Sequence, residues 1–288
     1  MTARKKAGSA RASPFTTVLA RVDAASDGAS PPDSVPSGFP SVDRMLGGGL
    51  RRGDLVVLGG DVGAGKSALA LAMAVRAAQV GREVAFYAGE TSVERVAERV
   101  LAIEGRARVD DLRRGPLDDA ARASVGAVAL RLRDVSLSIE RLPPAVEQLA
   151  ADLGKRARTE LVVVDPLEML ATAGSAQDEE LAAAVRRLKR LAVDGGVALL
   201  VTAHLPQLAA RADRRPQLDD FGALGAVKQH ADIVLGLFRE GMYDDATRLL
   251  EGATELHVLK NRGGPTAYAD LYFYAQWMRF EDLVDPDR

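Results

Sequence analysis

The sequence predicts an α/β fold: a mostly parallel central sheet, helices on both of its faces, and antiparallel strands at a C-terminal edge. Three observations carry this. Short all-apolar runs of strand length alternate with helical patterns, as parallel sheets covered on both sides require. One such run opens straight into a glycine-rich loop and an alanine-rich helix. The last three strand-like runs follow one another with no helix between them, so they should pair antiparallel at one edge.

In chain order, residues 1–34 are rich in Ala, Ser, Pro and Gly and read as a disordered tail. Within it only residues 15–24 have apolar spacing that fits a short helix. Residues 35–288 form the folded domain. LVVLGG (55–60) is an apolar strand, and SALALAMAVRAAQV (67–80) is a helix favoured by its alanines. EVAFYAG (83–89) is a strand, and SVERVAERVLAIEG (92–105) is an amphipathic helix that stops at glycine. VSLSIE (135–140) alternates like a half-covered strand. PAVEQLAADLGKRAR (144–158) reads as a helix with Pro144 in its first turn. LVVVD (161–165) and VALLVTAH (197–204) are buried strands around a long helix, 178–196, with a glycine stop. ADIVLGLFRE, ATELHVLKN and AYADLYFYAQWMRFE supply three more strands.

Composition narrows the function. The formal net charge of −2 gives no bulk electrostatic case for nucleic-acid binding, so any such contact must use a local patch. There is no Cys, hence no disulfide or thiolate metal site, and the three histidines (His204, His230, His257) are scattered. No apolar run is long enough to span a bilayer, and the basic residues near the start precede no apolar signal segment. A soluble, cytoplasmic protein without membrane contact is the expectation.

The chemistry is concentrated in GDVGAGKS: Gly60, Asp61, Val62, Gly63, Ala64, Gly65, Lys66 and Ser67, with Ala68 following in the helix. This fits the P-loop pattern in the strand–loop–helix setting it needs. Glycines let successive N–H groups turn inward around a phosphate, and the helix N-terminus adds its positive dipole. Lys66 would reach the β- and γ-oxygens of ATP, and Ser67 would offer a hydroxyl to Mg²⁺. Asp165, ending its strand, either holds that metal through water or caps the turn marked by Pro166. Glu90 should emerge at the same carboxyl edge, either as the base that orients water or as an acid favoured by a helix N-terminus. His204, at another strand end, either contacts the γ-phosphate or is hydrogen-bonded structure. Lys260 and Arg262, in VLKNRGGPTAY, form the basic tip of a hairpin, solvated or functional.

These segments resemble the motor domain of DnaB-type replicative helicases. SGFPSVDRMLGGGLRRGDLVVLGGDVGAGKSALALAMA is similar to its opening, and AGETSVERVAERVLA and VDDLRRGPLDD follow in the family's order. LVVVDPLEML resembles its metal-binding strand, where Asp-Tyr-Leu-Gln-Leu is usual. RRPQLDDFGALGAVKQHADIVLGLFRE and LHVLKNRGGPTAYADLYFYAQWMRFEDL resemble its last third. The resemblance implies a RecA-like P-loop NTPase working as a homo-oligomer, a six-membered ring, on single-stranded DNA. It implies Mg-ATP binding by Lys66, Ser67 and Asp165, Glu90 as catalytic base, and His204 in place of a glutamine γ-phosphate sensor. Lys260 and Arg262 would act in trans on the neighbour's ATP. Arg211, Arg214 and Arg215 fall in a region that lies near the family's central channel. They either track a DNA backbone or form a solvated loop, and that segment carries no aromatics for base stacking.

The sequence also departs from that family. A separate N-terminal helical domain is not expected before the motor, AGETS stands around Glu90, and QLDDFGALGAVKQHAD lacks an Arg-Glu-Ser-Gly run. LGGGL, YAGE and KNRGG also resemble the RadA and KaiC types of RecA-like ATPase, which implies an alternative: a recombination or assembly switch that does not unwind.

Overall fold

A computed structural model describes residues 13–28, 31, 33–115, 117–172, 174, 176–205, 211–243 and 252–283. From the N-terminus run helix α1 (Pro14–Ser26), strand β1 (Ser34–Val35), α2 (Pro40–Met45), β2 (Leu50–Arg51), β3 (Leu55–Gly60), α3 (Lys66–Gln79) and β4 (Val84–Ala88). Then come α4 (Val93–Gly105), α5 (Val109–Arg114), α6 (Asp119–Leu132), β5 (Leu137–Arg141), α7 (Val146–Leu153) and β6 (Leu161–Asp165). The last part holds α8 (Gln177–Gly195), β7 (Ala198–His204), α9 (Ala226–His230), β8 (Ile233–Phe238), β9 (Ala253–Asn261), β10 (Tyr268–Tyr274) and β11 (Arg279–Asp282).

Nine strands form one sheet in the order β11-β10-β9-β8-β3-β7-β6-β4-β5. From β8 to β5 every pairing is parallel; β8–β9, β9–β10 and β10–β11 are antiparallel. β3, at the centre, is buried along its whole length, which is why it reads as an unbroken apolar run. Its residues still alternate between two cores. Val56 and Leu58 join Phe86, Val163, Leu200 and the inner side of α3 on one face. Leu55 and Val57 join Tyr87, Val164, Val201 and helices α7 and α8 on the other. α3 is wedged deep in the first core, and its alanines allow that close approach. β1 and β2 form a separate two-stranded ribbon.

Several expectations are corrected. The run 267–281 is not one strand: a 3₁₀ turn at Ala275–Trp277 folds it into the β10–β11 hairpin, with Met278 at φ 53° in the left-handed region. Phe273 and Phe280, one on each arm, pack at a ring-centroid distance of 4.5 Å, so one apolar run serves two strands. The helix expected over 144–158 shortens to α7, which leaves Pro144 before it. Past Gly154, Arg156 turns back onto Ser138 and Glu140 of β5 rather than extending the helix. Residues 15–24 lie inside α1; residues 1–12 of the expected tail lie outside the described residues.

Candidate active site

β3 delivers Gly60 to the carboxyl edge, and the chain turns through residues 61–65 into α3. Gly63 and Gly65 have φ of 83° and 105°. A Cβ on Gly65 would lie 2.9 Å from Phe280 Cζ, so position 65 needs glycine for both its conformation and its space. Ala64 and Ala68 are buried beneath the loop, while Val62 is exposed on it. The Asp61 carboxylate accepts the Val62 N–H at 2.7 Å. Lys66 is buried, and its Nζ donates to the carbonyls of Gly60 and Asp61, each at 2.9 Å. Burial pushes the Lys66 ammonium below its usual range; Glu168, Asp165, Asp61 and Glu90 oppose that shift.

Three neighbouring strands bring the other groups to this edge. Ser67 Oγ donates to Asp165 Oδ1 at 2.9 Å, and Thr202 Oγ1 of β7 donates to the same oxygen at 2.5 Å. Gly89 N–H donates to the Asp165 carbonyl at 2.8 Å, tying the end of β4 to the end of β6. Glu90 follows, half-exposed, with Oε1 3.8 Å from His204 Nε2. The structure thus gathers Lys66, Ser67, Asp165, Glu90 and His204 from four strand ends.

Glu168 is the group that sequence reasoning missed. It sits in a 3₁₀ turn (Leu167–Leu170) after β6, and its Oε1 accepts the His204 backbone N–H at 2.8 Å. Its Oε2 is buried with no protein partner among the described residues. Burial pushes this carboxyl up, against the His204 N–H and the nearby His204 and Lys66 charges. The available signal was an acid three residues beyond a strand-end Asp.

The donor set fits Mg-ATP. A hydroxyl and a carboxylate 2.9 Å apart are hard oxygen ligands of the kind Mg²⁺ takes while keeping water and substrate oxygens. Among the described residues no group of three or more His, Asp or Glu makes a protein-only metal site. The buried Lys66 ammonium, held by two loop carbonyls, is a cation placed where a phosphate anion fits.

Lys260 and Arg262 lie elsewhere. β9 runs antiparallel to β8 and pairs Asn261 with Ile233, which pairs in turn with Val56 of β3's partnered register. That places them at the amino edge, roughly 13 Å of strand below Gly60. Lys260 Nζ donates to the carbonyls of Lys228 and Ala231 at 2.7 and 2.6 Å, which caps the end of α9. Arg262 donates to the Gln229 carbonyl at 3.2 Å and approaches Asp232 Oδ1 at 3.4 Å, with its side chain 55% exposed.

Arg211, Arg214 and Arg215 lie beside the carboxyl end of β8. Arg211 grips Asp220 with two bonds of 2.7 and 2.9 Å, and Arg215 grips Glu255 with two of 2.8 and 2.7 Å. The Arg214 guanidinium lies 4.6 Å over the Tyr243 ring. The Arg215 guanidinium lies 4.8 Å over the Phe238 ring, so both cations rest on aromatic rings from beyond this segment. Residues 206–210 of the loop lie outside the described residues.

Comparison with known proteins gives one family. The profile described as "DnaB-like helicase C terminal domain" matches residues 34–282. The chain is 30% identical over 261 residues to the replicative DNA helicase DnaB of Leifsonia xyli subsp. xyli (strain CTCB07), across 87% of this chain and 56% of that one. It is 28% identical over 258 residues to the replicative DNA helicase DnaC of Bacillus subtilis (strain 168), across 86% and 56%. The chain thus spans about half the length of the curated relatives it matches. Among solved structures, the ATPase domain of G40P superposes with a TM-score of 0.85 at 22% identity, covering 96% of this chain and 100% of that one. A DnaB-like replicative helicase superposes at 0.84 and 22%, covering 96% and 68%. At that identity the two structures speak for the fold.

Proposed function

From the premise that this chain belongs to the DnaB-like helicase C-terminal domain family, we propose that it is an ATP-hydrolysing motor that works as a ring of identical subunits on single-stranded DNA. The observation that carries this reading is the division of the machinery between two edges. Lys66, Ser67, Asp165, Glu90 and His204 meet at the carboxyl edge, whereas Lys260 and Arg262 stand at the amino edge. Within one subunit the two sets do not meet, so a basic finger that serves ATP must serve the neighbour's.

Roles follow from chemistry. Loop N–H groups and Lys66 bind the phosphates, and Ser67 and Asp165 hold Mg²⁺. When bound there, the metal would supply positive charge that neutralises the phosphate oxygens. Glu90 orients water and accepts its proton, and the adjacent His204 reports on the γ-phosphate. Arg262 stabilises charge that develops on the γ-phosphoryl oxygens across the interface. We place a six-membered ring in the cytoplasm; no helix among the described residues is long and apolar enough to cross a membrane. The relatives named above are replicative helicases, which supports a motor over a recombination or assembly switch.

The test is steady-state ATP hydrolysis over a protein-concentration series, with and without single-stranded DNA. The rate per subunit should rise with concentration and again with DNA. Assembly with turnover that ignores DNA would replace the motor by the switch. A rate per subunit independent of concentration would remove the trans finger.

A further inference from the structure

One cluster beside the P-loop is not absorbed by these roles. A groove of about 500 Å³ at the carboxyl end of β8 is lined by Arg211, Arg214, Arg215, Phe238 and Tyr243, and by two carboxylates, Glu240 and Asp213, the latter accepting the Arg215 N–H at 3.0 Å. Two of its three cations are neutralised, Arg211 by Asp220 and Arg215 by Glu255. Among the described residues no carboxylate pairs with Arg214, which is half-buried and rests on the Tyr243 ring. A guanidinium held by a π-face alone keeps its donors for an incoming phosphate.

Tyr243 continues toward the P-loop. Its ring stacks on Phe238 at 5.8 Å, and its hydroxyl donates to Asp61 Oδ2 at 2.9 Å. Burial and the Asp61 carboxylate push that hydroxyl above its usual range, so it stays a donor at every working pH. Asp61 in turn offers its own carbonyl to Lys66 Nζ at 2.9 Å. An unbroken chain of contacts therefore runs from Arg214 through Tyr243 and Asp61 to the lysine that must leave those carbonyls to meet a nucleotide phosphate.

We propose that Arg214 and Tyr243 form a sensor for the phosphate backbone of a single strand, wired through Asp61 to the P-loop lysine. It rests on the reading that the chain acts on single-stranded DNA. A strand phosphate draws Arg214 off the Tyr243 ring. Tyr243 then loosens its hold on Asp61, and Lys66 is released from its parked position. Strand binding thereby tightens ATP binding, and by linkage ATP tightens strand binding by the same factor.

Two variants test this in the full chain, with a fluorescent oligothymidylate as the strand. Tyr243→Phe keeps the ring and removes the hydroxyl. Its KM for ATP without DNA should fall to the value the unmodified chain shows with DNA, by roughly tenfold for a bond to a charged group, and DNA should no longer change it. Without nucleotide its strand affinity should rise by the same factor, because strand binding no longer has to break that bond, and at saturating ATP it should match the unmodified chain's. Arg214→Ala should weaken strand binding and lower the slope of log affinity against log salt by about 0.7, one phosphate contact on a single strand. A DNA-dependent KM change that persists in Tyr243→Phe overturns the relay. So does an unaltered salt slope in Arg214→Ala. A raised KM in both variants with strand binding intact would assign the groove to the nucleotide instead. If the unmodified chain binds no strand at all, the DNA reading itself fails and takes the sensor with it.

Discussion

At the scale of single residues, the site is defined as much by Glu168 as by the P-loop lysine. A carboxyl with one oxygen bonded to the His204 N–H and the other buried without a partner is poorly placed to carry charge. Burial therefore raises its folded-state pKa above the ordinary 4.5, so the native chain holds this proton more tightly than the unfolded chain does. The sign follows: the stability linked to Glu168 is fully present below 4.5 and is lost as pH rises through the raised value. Glu168→Gln keeps an acceptor for the His204 N–H and never ionises. Thermal melts from about pH 5 to pH 8 should show the variant gaining on the wild type as pH rises. Parallel curves would mean that Glu168 does not titrate in this range. Glu90 stands in contrast, half-exposed, with its Oε1 3.8 Å from His204 Nε2. Glu90→Gln should bind ATP with little change and lose turnover by about 10²–10⁴; turnover that survives would remove Glu90 as the base. Position 65 has a steric limit of its own. Gly65→Ala would force a methyl into Phe280 at a φ of 105°, and should cost about 1–3 kcal/mol in denaturant melts.

Among the elements, β9 decides how the molecule divides its chemistry. Because it returns antiparallel along β8, whatever follows its last residue must appear at the edge opposite the P-loop. Lys260 and Arg262 sit there on different terms. Lys260 is spent on two carbonyls at the end of α9, whereas Arg262 holds one carbonyl and a carboxylate at 3.4 Å and is more than half exposed. Arg262 is thus the side chain able to swing outward, with Lys260 fixing the hairpin that carries it. Arg262→Ala should leave ATP binding intact and lower turnover by about 10³–10⁵. Mixing it with Glu90→Gln subunits should restore activity, because some hybrid interfaces pair an intact base with an intact finger. Mixed assemblies that recover nothing would exclude a finger in trans. These elements also show what the sequence could reveal. β3, β6 and β7 are buried on both faces, so composition alone marks them as strands. The P-loop is legible because its backbone needs glycine at fixed places. The β10–β11 turn was not, since Met278 adopts a left-handed conformation with no glycine or proline to mark it. α6 was missed because only Val128 of its fourteen residues is buried, which leaves no apolar stripe to read. Glu168 and Tyr243 escaped because their partners come from other strands, and only the fold brings them together.

For the molecule as a whole, the trans finger proposed above leaves one folded subunit an incomplete enzyme, and on that reading something must hold copies together. α1 is fitted to that task. Phe15, Val18, Leu19 and Val22 recur at helical spacing on one face and are 79%, 44%, 62% and 53% exposed, so among the described residues the stripe meets no core. From the middle of the helix, Arg21 pairs with Asp33 at 3.0 Å, which ties the helix to the segment before β1 while leaving the stripe outward. We propose that a second copy covers it: on the trans-finger reading a neighbour stands beside each subunit, and the stripe offers it an apolar face. Burying one leucine fully contributes about 1.5–3 kcal/mol, so Leu19→Asp should weaken assembly by at least about tenfold. Sedimentation of the variant should show the transition to larger species at correspondingly higher concentration. The rise of ATPase rate per subunit should shift by the same factor, while nucleotide binding by the isolated subunit stays as it was. If sedimentation matches the wild type, α1 covers nothing between subunits, and the contacts that bring Arg262 to its neighbour lie on the domain itself.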